Sequence, residues 1–117
     1  MIELIEAREH YDRLIKNKHD PYHDPPQLQA YMQRWTGEKF WEYLAATQNK
    51  DVLEIGVGTG RLAEIVLNNG CHAFTGIDPS DLTIKAARND LCRHKNVTLI
   101  QAHIENYKTD KRYDIIY

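Results

Sequence analysis

The spacing of apolar residues changes near residue 50 and divides the chain into two parts. In the first part, apolar positions recur every three or four residues, which places them on one face of a helix. The first stripe predicts an amphipathic helix from about Ile2 to Lys16. Its apolar positions are Leu4, Ala7, Tyr11, Leu14 and Ile15. Such a helix has to pack its apolar face against another element.

A proline-rich segment, residues 17–27, ends this helix, because proline lacks an N–H and disfavours the helical region for its predecessor. Thr36 is predicted to cap a further helix that ends near Thr47. The stripe before Thr36 consists of Leu28, Tyr31, Met32 and Trp35, and the helix after it carries Phe40, Tyr43 and Leu44. Three aromatic residues and one methionine form the aromatic group: Tyr31, Met32, Trp35 and Phe40. Helical stripes usually serve burial, so we interpret this group as core packing, with a substrate pocket as the alternative.

After residue 50, short runs of β-forming residues alternate with helical ones. Strands are predicted at residues 52–55, 73–77, 97–101 and 113–117. The helices between them run from Arg61 to Asn69, closed by Gly70, and from Pro79-Ser80-Asp81 onward, with Ile84, Ala87 and Leu91 buried. Strand and helix alternation of this kind predicts an α/β fold, in which helices pack on the faces of a parallel sheet.

A glycine-rich turn joins the first strand to the helix after it. It reads Glu54-Ile-Gly56-Val-Gly58-Thr-Gly60, and Asp78 follows at the end of the second strand. In open parallel sheets ligands bind outside the carboxyl ends of the strands, and glycines there let the backbone approach the ligand. An acid about 20 residues beyond such a turn commonly accepts hydrogen bonds from ribose hydroxyls. The two features together predict a ligand that contains adenosine.

The spacing of the glycines separates two kinds of ligand. The dinucleotide fingerprint is G-x-G-x-x-G, whereas the third glycine comes one residue earlier in this chain. The stretch D-V-L-E-I-G-V-G-T-G-R closely resembles motif I of the class I S-adenosylmethionine-dependent methyltransferases. Tyr113-Asp114-Ile115-Ile116-Tyr117 resembles the opening of that family's fourth strand, so the resemblance covers residues 50–117.

The resemblance implies a Rossmann-like sheet and roles for individual residues. Gly56, Gly58 and Gly60 would shape the cofactor turn, Glu54 would lie near the cationic amino-acid end of S-adenosylmethionine, and Asp78 would hold the ribose. A carboxylate suits a cationic ligand and would repel a pyrophosphate. The same resemblance therefore implies S-adenosyl-L-methionine as the cofactor.

One position departs from the family pattern. Where the family usually has an Asp near the adenine amino group, this chain has His103, within Gln101-Ala102-His103-Ile104-Glu105. Adenine recognition then falls to backbone groups near Ile104, to His103 or to Glu105. Methyl transfer depends largely on positioning, so no catalytic residue is assigned, although His103 and Tyr22 are candidates.

The resemblance also implies a larger sheet than this chain supplies. The family sheet has seven strands, and this chain contains four predicted ones. We expect residues 1–49 to form an N-terminal helical cap and residues 50–117 to form the cofactor-binding half of a methyltransferase domain. An uncovered fourth strand presents an unpaired edge, so we expect self-association there.

Composition limits the partners and the location. The 117 residues include 15 Lys and Arg against 17 Asp and Glu, a net charge of −2 that argues against a dedicated nucleic-acid or membrane-surface binder. With no signal or membrane segment and with two cysteines, a reduced cytoplasmic protein is predicted. The segment from His19 to Asp24 is interpreted as a solvated loop rather than a metal site, and no metal is expected.

The sequence therefore predicts a methyltransferase that acts on a small-molecule acceptor. The alternative is a module that keeps the nucleoside pocket without catalysis and serves binding or assembly. A nicotinamide-dependent dehydrogenase is disfavoured by the glycine spacing.

Overall fold

The computed structural model describes residues 4–19 and 23–117. Three helices come first: α1 (Ala7–Lys16), α2 (Pro26–Thr36) and α3 (Glu38–Ala45). Strands and helices then alternate as β1 (Asp51–Ile55), α4 (Arg61–Asn68), β2 (Ala73–Asp78), α5 (Asp81–Asp90) and β3 (Val97–Gln101). A short 3₁₀ turn (Ile104–Asn106) and β4 (Ile115–Ile116) complete the described elements.

The strands form one parallel sheet in the order β3-β2-β1-β4. The chain builds outward from β1 through β2 to β3 and then returns to the other side of β1. In register, Glu54 of β1 lies beside Gly76, and Asp78 of β2 lies beside Gln101. This topology confirms the predicted α/β, Rossmann-like sheet. It also places the carboxyl ends of β1 and β2 side by side, next to the point where the strand order reverses.

The core lies between the central strands and the helices that cover them. Val52, Phe74 and Ile77 are completely or almost completely buried. The predicted stripe of α5 is confirmed, because Ile84, Ala87 and Leu91 are all buried. Buried residues of α4 that complete the core are Ala63, Val66 and Leu67.

The helix ends agree with the sequence prediction at α4 and α5. The Ser80 hydroxyl accepts a hydrogen bond from the Thr83 N–H at 3.2 Å, which caps α5. Gly70 follows α4 with φ +82° and donates its N–H to the Leu67 carbonyl at 3.0 Å. The left-handed conformation at Gly70 is the usual reason for a glycine after a helix.

The predicted cap at Thr36 is wrong. Thr36 is the last residue of α2, and its hydroxyl donates to the Met32 carbonyl one turn earlier at 2.9 Å. Gly37, with φ +90°, forms the boundary with α3, which ends at Ala45 rather than near Thr47. Gly37, not Thr36, occupies the N-cap position of α3, and the Thr36 hydroxyl is turned back toward its own helix.

The interpretation of the aromatic group as core packing is also wrong for three of its members. Tyr31 and Met32 are about half exposed, and Trp35 is 75% exposed. Only Phe40 is partly buried, with its ring edge-on to Tyr117 at 5.8 Å. The Trp41 indole N–H donates to the Gln33 carbonyl at 2.8 Å, so α2 rests on α3 and its own apolar stripe stays uncovered.

The first helix is shorter than predicted. It begins at Ala7, while Leu4 lies before it and is 94% exposed; Met1, Ile2 and Glu3 lie outside the described residues. The division into a helical cap and a sheet half stays a prediction, as does self-association through β4, where Ile116 is exposed. In the described part of the chain, no helix is long and apolar enough to cross a bilayer.

Candidate functional site

A cavity of about 290 Å³ lies at the carboxyl ends of β1 and β2. One side is the glycine turn after β1 together with the end of β2, and the other side is α1. The residues that line it are Tyr11, Leu14, Ile15, Gly56, Gly58, Thr59, Asp78, Pro79 and Thr83. The cavity thus has an apolar wall from α1, which faces a backbone-rich wall that contains one carboxylate.

At two glycines of the turn, the space that a side chain would fill is part of the cavity. Gly56 and Gly58 have φ of +77° and +59°, and a Cβ at either would meet no atom within 4 Å. The backbone there is held in place because the Gly56 and Val57 N–H groups both donate to the Ile77 carbonyl, at 2.8 and 3.0 Å. Glycine adopts this conformation without strain, and the open space beside it leaves the backbone accessible to a ligand.

Two other glycines serve packing. A Cβ at Gly60 would lie 2.9 Å from a methyl carbon of Leu91, so this glycine lets the start of α4 approach the end of α5. A Cβ at Gly76 would lie 2.7 Å from a methyl carbon of Val57, so this glycine lets β2 lie against the turn. The role of Gly76 was missed in the sequence because a single glycine inside a strand does not show what approaches it.

Asp78 is held by two backbone donors. The Gly58 N–H donates to Oδ2 at 3.1 Å, and the Ser80 N–H donates to Oδ1 at 3.0 Å. Each carboxylate oxygen keeps a further lone pair, so the group can accept two more hydrogen bonds. Asp78 is therefore an oriented acceptor at the edge of the cavity, suited to a pair of neighbouring hydroxyls.

Glu54 lies behind the turn and is 4% exposed. The Tyr117 hydroxyl donates to its Oε2 at 3.2 Å. Burial raises the pKa of Glu54 to about 8, against the opposing effects of the Tyr117 hydroxyl and the Arg61 charge; the Asp78 charge raises it slightly further. Burial and the neighbouring Glu54 also raise the pKa of Tyr117. With a pKa of about 8, the acid is mostly protonated near neutral pH.

The predicted adenine-side residues do not line this cavity. His103 and Ile104 follow β3 and are both exposed. Their segment does start next to the cavity, because the Ala102 N–H donates to the Asp78 carbonyl at 3.0 Å. Their contact with adenine stays a prediction, and the other catalytic candidate, Tyr22, lies outside the described residues.

The contribution of α1 to the cavity was missed. The sequence showed that Tyr11, Leu14 and Ile15 share one face, but the pattern does not reveal what that face covers. Within residues 4–19 and 23–117, no three His, Cys, Asp or Glu residues come together as a metal site. In the segment from His19 to Asp24, residues 20–22 lie outside the described part.

Comparisons with known proteins agree with this fold. The family model of the methyltransferase domain matches residues 52–117. Malonyl-[acyl-carrier protein] O-methyltransferase 2 of Ilyobacter polytropus is 30% identical over 90 residues, which cover 75% of this chain and 35% of the relative. Demethylmenaquinone methyltransferase of Tropheryma whipplei is 36% identical over 73 residues, covering 62% of this chain and 30% of the relative.

A solved structure shows the same fold over a longer range. The N-methyltransferase NodS from Bradyrhizobium japonicum, in complex with S-adenosyl-L-homocysteine, superposes with a TM-score of 0.74 at 21% identity. The superposition covers 93% of this chain and 54% of NodS. The chain spans about a third of the length of the two curated relatives.

Proposed function

Because the chain belongs to the class I S-adenosylmethionine-dependent methyltransferase family, we propose that the cavity beside the glycine turn binds S-adenosylmethionine for methyl transfer to a small-molecule acceptor. The observation that carries this proposal is Asp78, whose two oxygens are oriented by backbone N–H groups and still have acceptor capacity. A ribose diol has two adjacent donors that match such a carboxylate.

The other described residues fit the same cofactor. The space beside Gly56 and Gly58, which a side chain would fill, is available to the ligand. The α1 wall offers apolar surface to a nucleoside. Glu54 supplies a buried acid near the turn, which gains a charge when a cation approaches.

In this proposal, the residues around the cavity bind and orient the cofactor. S-adenosylmethionine supplies a methyl group on a positively charged sulfur, which is already activated for transfer. Asp78 and the glycine turn fix the nucleoside, and the Tyr117 hydroxyl orients the Glu54 carboxyl. Positioning of this kind can supply a large part of the acceleration in a displacement reaction.

A small-molecule acceptor is proposed because of the charge balance. The net charge of −2 supplies no excess of Lys and Arg for the phosphates of a nucleic acid. The names of the relatives cite a malonyl-acyl-carrier protein and demethylmenaquinone, so acceptors differ within the family. We also propose a cytoplasmic location, which agrees with two free cysteines, Cys71 and Cys92.

We predict that the chain binds S-adenosylmethionine and S-adenosylhomocysteine, and that calorimetry detects one site for each. Absence of binding by the wild-type chain would overturn the proposal. Transfer of a labelled methyl group from the cofactor into small molecules of a cell extract would then separate catalysis from the alternative, a nucleoside-binding module. That alternative predicts binding without transfer.

Gly58→Ala tests the glycine turn. The φ of +59° costs an alanine about 1 kcal/mol of stability, and its methyl group enters the cavity, so affinity for S-adenosylhomocysteine is expected to fall about tenfold. Gly37→Ala is the matched control, because Gly37 also has a positive φ and open space but lies between α2 and α3. Calorimetry and thermal unfolding of both variants should show lost stability in both and lost affinity only in Gly58→Ala. Equal affinities would contradict a ligand at the turn.

A further inference from the structure

α1 forms one wall of the cavity although none of its described residues is buried. Tyr11 is about half exposed, and Leu14 and Ile15 are partly exposed beside the cavity. An isolated helix of ten residues is marginal in water, so α1 needs contacts with the rest of the protein. The contacts that hold it across the cavity therefore matter for any ligand inside.

A side-chain hydrogen bond connects α1 to the far side of the cavity. The Ser80 hydroxyl donates to Asp12 Oδ1 at 2.5 Å. Ser80 is completely buried, whereas Asp12 is partly exposed. A hydrogen bond to a carboxylate is stronger than one between neutral groups, and here the donor is a buried side chain. Helix packing adds to this contact, since α1 also lies against α5.

Ser80 is shared by three parts of the site. Its hydroxyl receives the Thr83 N–H at 3.2 Å and so caps α5. Its own N–H donates to Asp78 Oδ1 at 3.0 Å. Asp12, Ser80 and Asp78 thus form one connected chain from α1 to the carboxylate that faces the cavity. The position of α1 is set by the same residue that orients Asp78.

We propose that Asp12 is a positioning residue that holds α1 across the cavity through Ser80, and that α1 in this position retains the bound nucleoside cofactor. The inference rests on the proposed function. Asp12 does not line the cavity, so its loss leaves Asp78 and the glycine turn in place. The effect of its loss should therefore be on dissociation of the ligand, because the α1 wall of the cavity is then no longer fixed.

The test compares three variants of the full chain. Asp12→Ala removes the acceptor of the Ser80 hydroxyl, while Asp12→Asn keeps an acceptor oxygen. Glu9→Ala is the matched control: it removes the same charge from the same helix, at an exposed position whose carboxylate pairs with Arg13 at 2.6 Å. Displacement of labelled S-adenosylhomocysteine measures the dissociation rate, and hydrogen exchange over residues 7–16 measures the opening of α1.

Asp12→Ala should raise the dissociation rate roughly tenfold, which is the loss of one charge-assisted hydrogen bond, and should speed exchange in α1. Exchange in β1 and β2 should remain unchanged. Asp12→Asn should keep the dissociation rate and the exchange in α1 close to those of the wild type. Glu9→Ala should change neither. A dissociation rate in Asp12→Ala equal to that of Glu9→Ala would overturn the retention role.

The two measurements separate this inference from the function on which it rests. If the wild-type chain binds no S-adenosylhomocysteine, the proposed function fails and the retention role fails with it. Hydrogen exchange without any ligand still decides whether Asp12 holds α1. Unchanged exchange in Asp12→Ala would overturn that part in either case.

Discussion

Asp78→Ala is expected to lower the affinity for S-adenosylhomocysteine by about two orders of magnitude or more. The carboxylate is the acceptor proposed for two ribose hydroxyls, and each hydrogen bond to a charged group contributes roughly 1.5–3 kcal/mol. Calorimetry on the wild type and the variant measures the difference. Asp81→Ala is the matched control, because Asp81 lies three residues further along and pairs with Lys85 at 2.7 Å outside the cavity.

A second ligand separates the loss of the ribose contact from a loss of folding stability in Asp78→Ala. Asp78→Ala also leaves the Gly58 and Ser80 N–H groups without their acceptor, so the turn itself loses stability. An analogue of S-adenosylhomocysteine without ribose hydroxyls should bind the wild type as weakly as the variant binds the natural ligand. The variant should not distinguish the two ligands. A wild type that binds both ligands equally would show that Asp78 does not hold the ribose.

Affinity for S-adenosylmethionine is expected to rise with pH between 6 and 8 because of Glu54. Its pKa of about 8 means that the free protein carries a proton there, and a cationic ligand favours the ionised form. Binding then releases close to one proton near pH 7, and affinity increases up to about tenfold per pH unit until the acid is ionised. Calorimetry in buffers of different ionisation enthalpy measures the released protons.

Glu54→Gln should remove this pH dependence and bind more weakly at pH 8. The amide still accepts the Tyr117 hydroxyl, so the buried hydrogen bond is preserved. Wild-type binding that shows the same pH profile as Glu54→Gln would contradict a cation beside Glu54. Because the comparison is made with one ligand, titration of the ligand itself cancels.

Rising pH, which should strengthen binding through Glu54, should lower the folding stability through the same carboxyl. The folded-state pKa of Glu54 is raised from 4.5 to about 8, so the folded protein binds more protons than the unfolded chain between these pH values. The stability of the wild type should therefore fall as pH rises through that range. Glu54→Gln should not show this decline, and denaturant unfolding at pH 5 and pH 8 measures it. The ionised form of Glu54, which favours a cationic ligand, therefore lowers the stability of the ligand-free protein.

Local patterns were sufficient for much of the sheet half. The end of α4 was predicted from Gly70, the start of α5 from Ser80, and the strands from their short runs of β-forming residues. Each of these signals depends on neighbouring residues alone. The same approach failed at Thr36, whose hydroxyl bonds within α2, and at Trp35, which is exposed. A helical stripe shows that a face is apolar, but the elements available to cover it depend on the whole fold.

The sequence by itself determined the family, the order of strands and helices, and the glycine turn with Asp78 after it, because each is encoded by residue types at fixed spacing. The tertiary structure decided what surrounds them. It placed Tyr117, which is 63 residues from Glu54, against that buried acid, and it laid α1 across the cavity through the contact of Asp12 with Ser80, 68 residues away. Burial and long-range hydrogen bonds arise only when distant segments pack together, so the charge state of Glu54 and the wall of the cavity are properties of the fold.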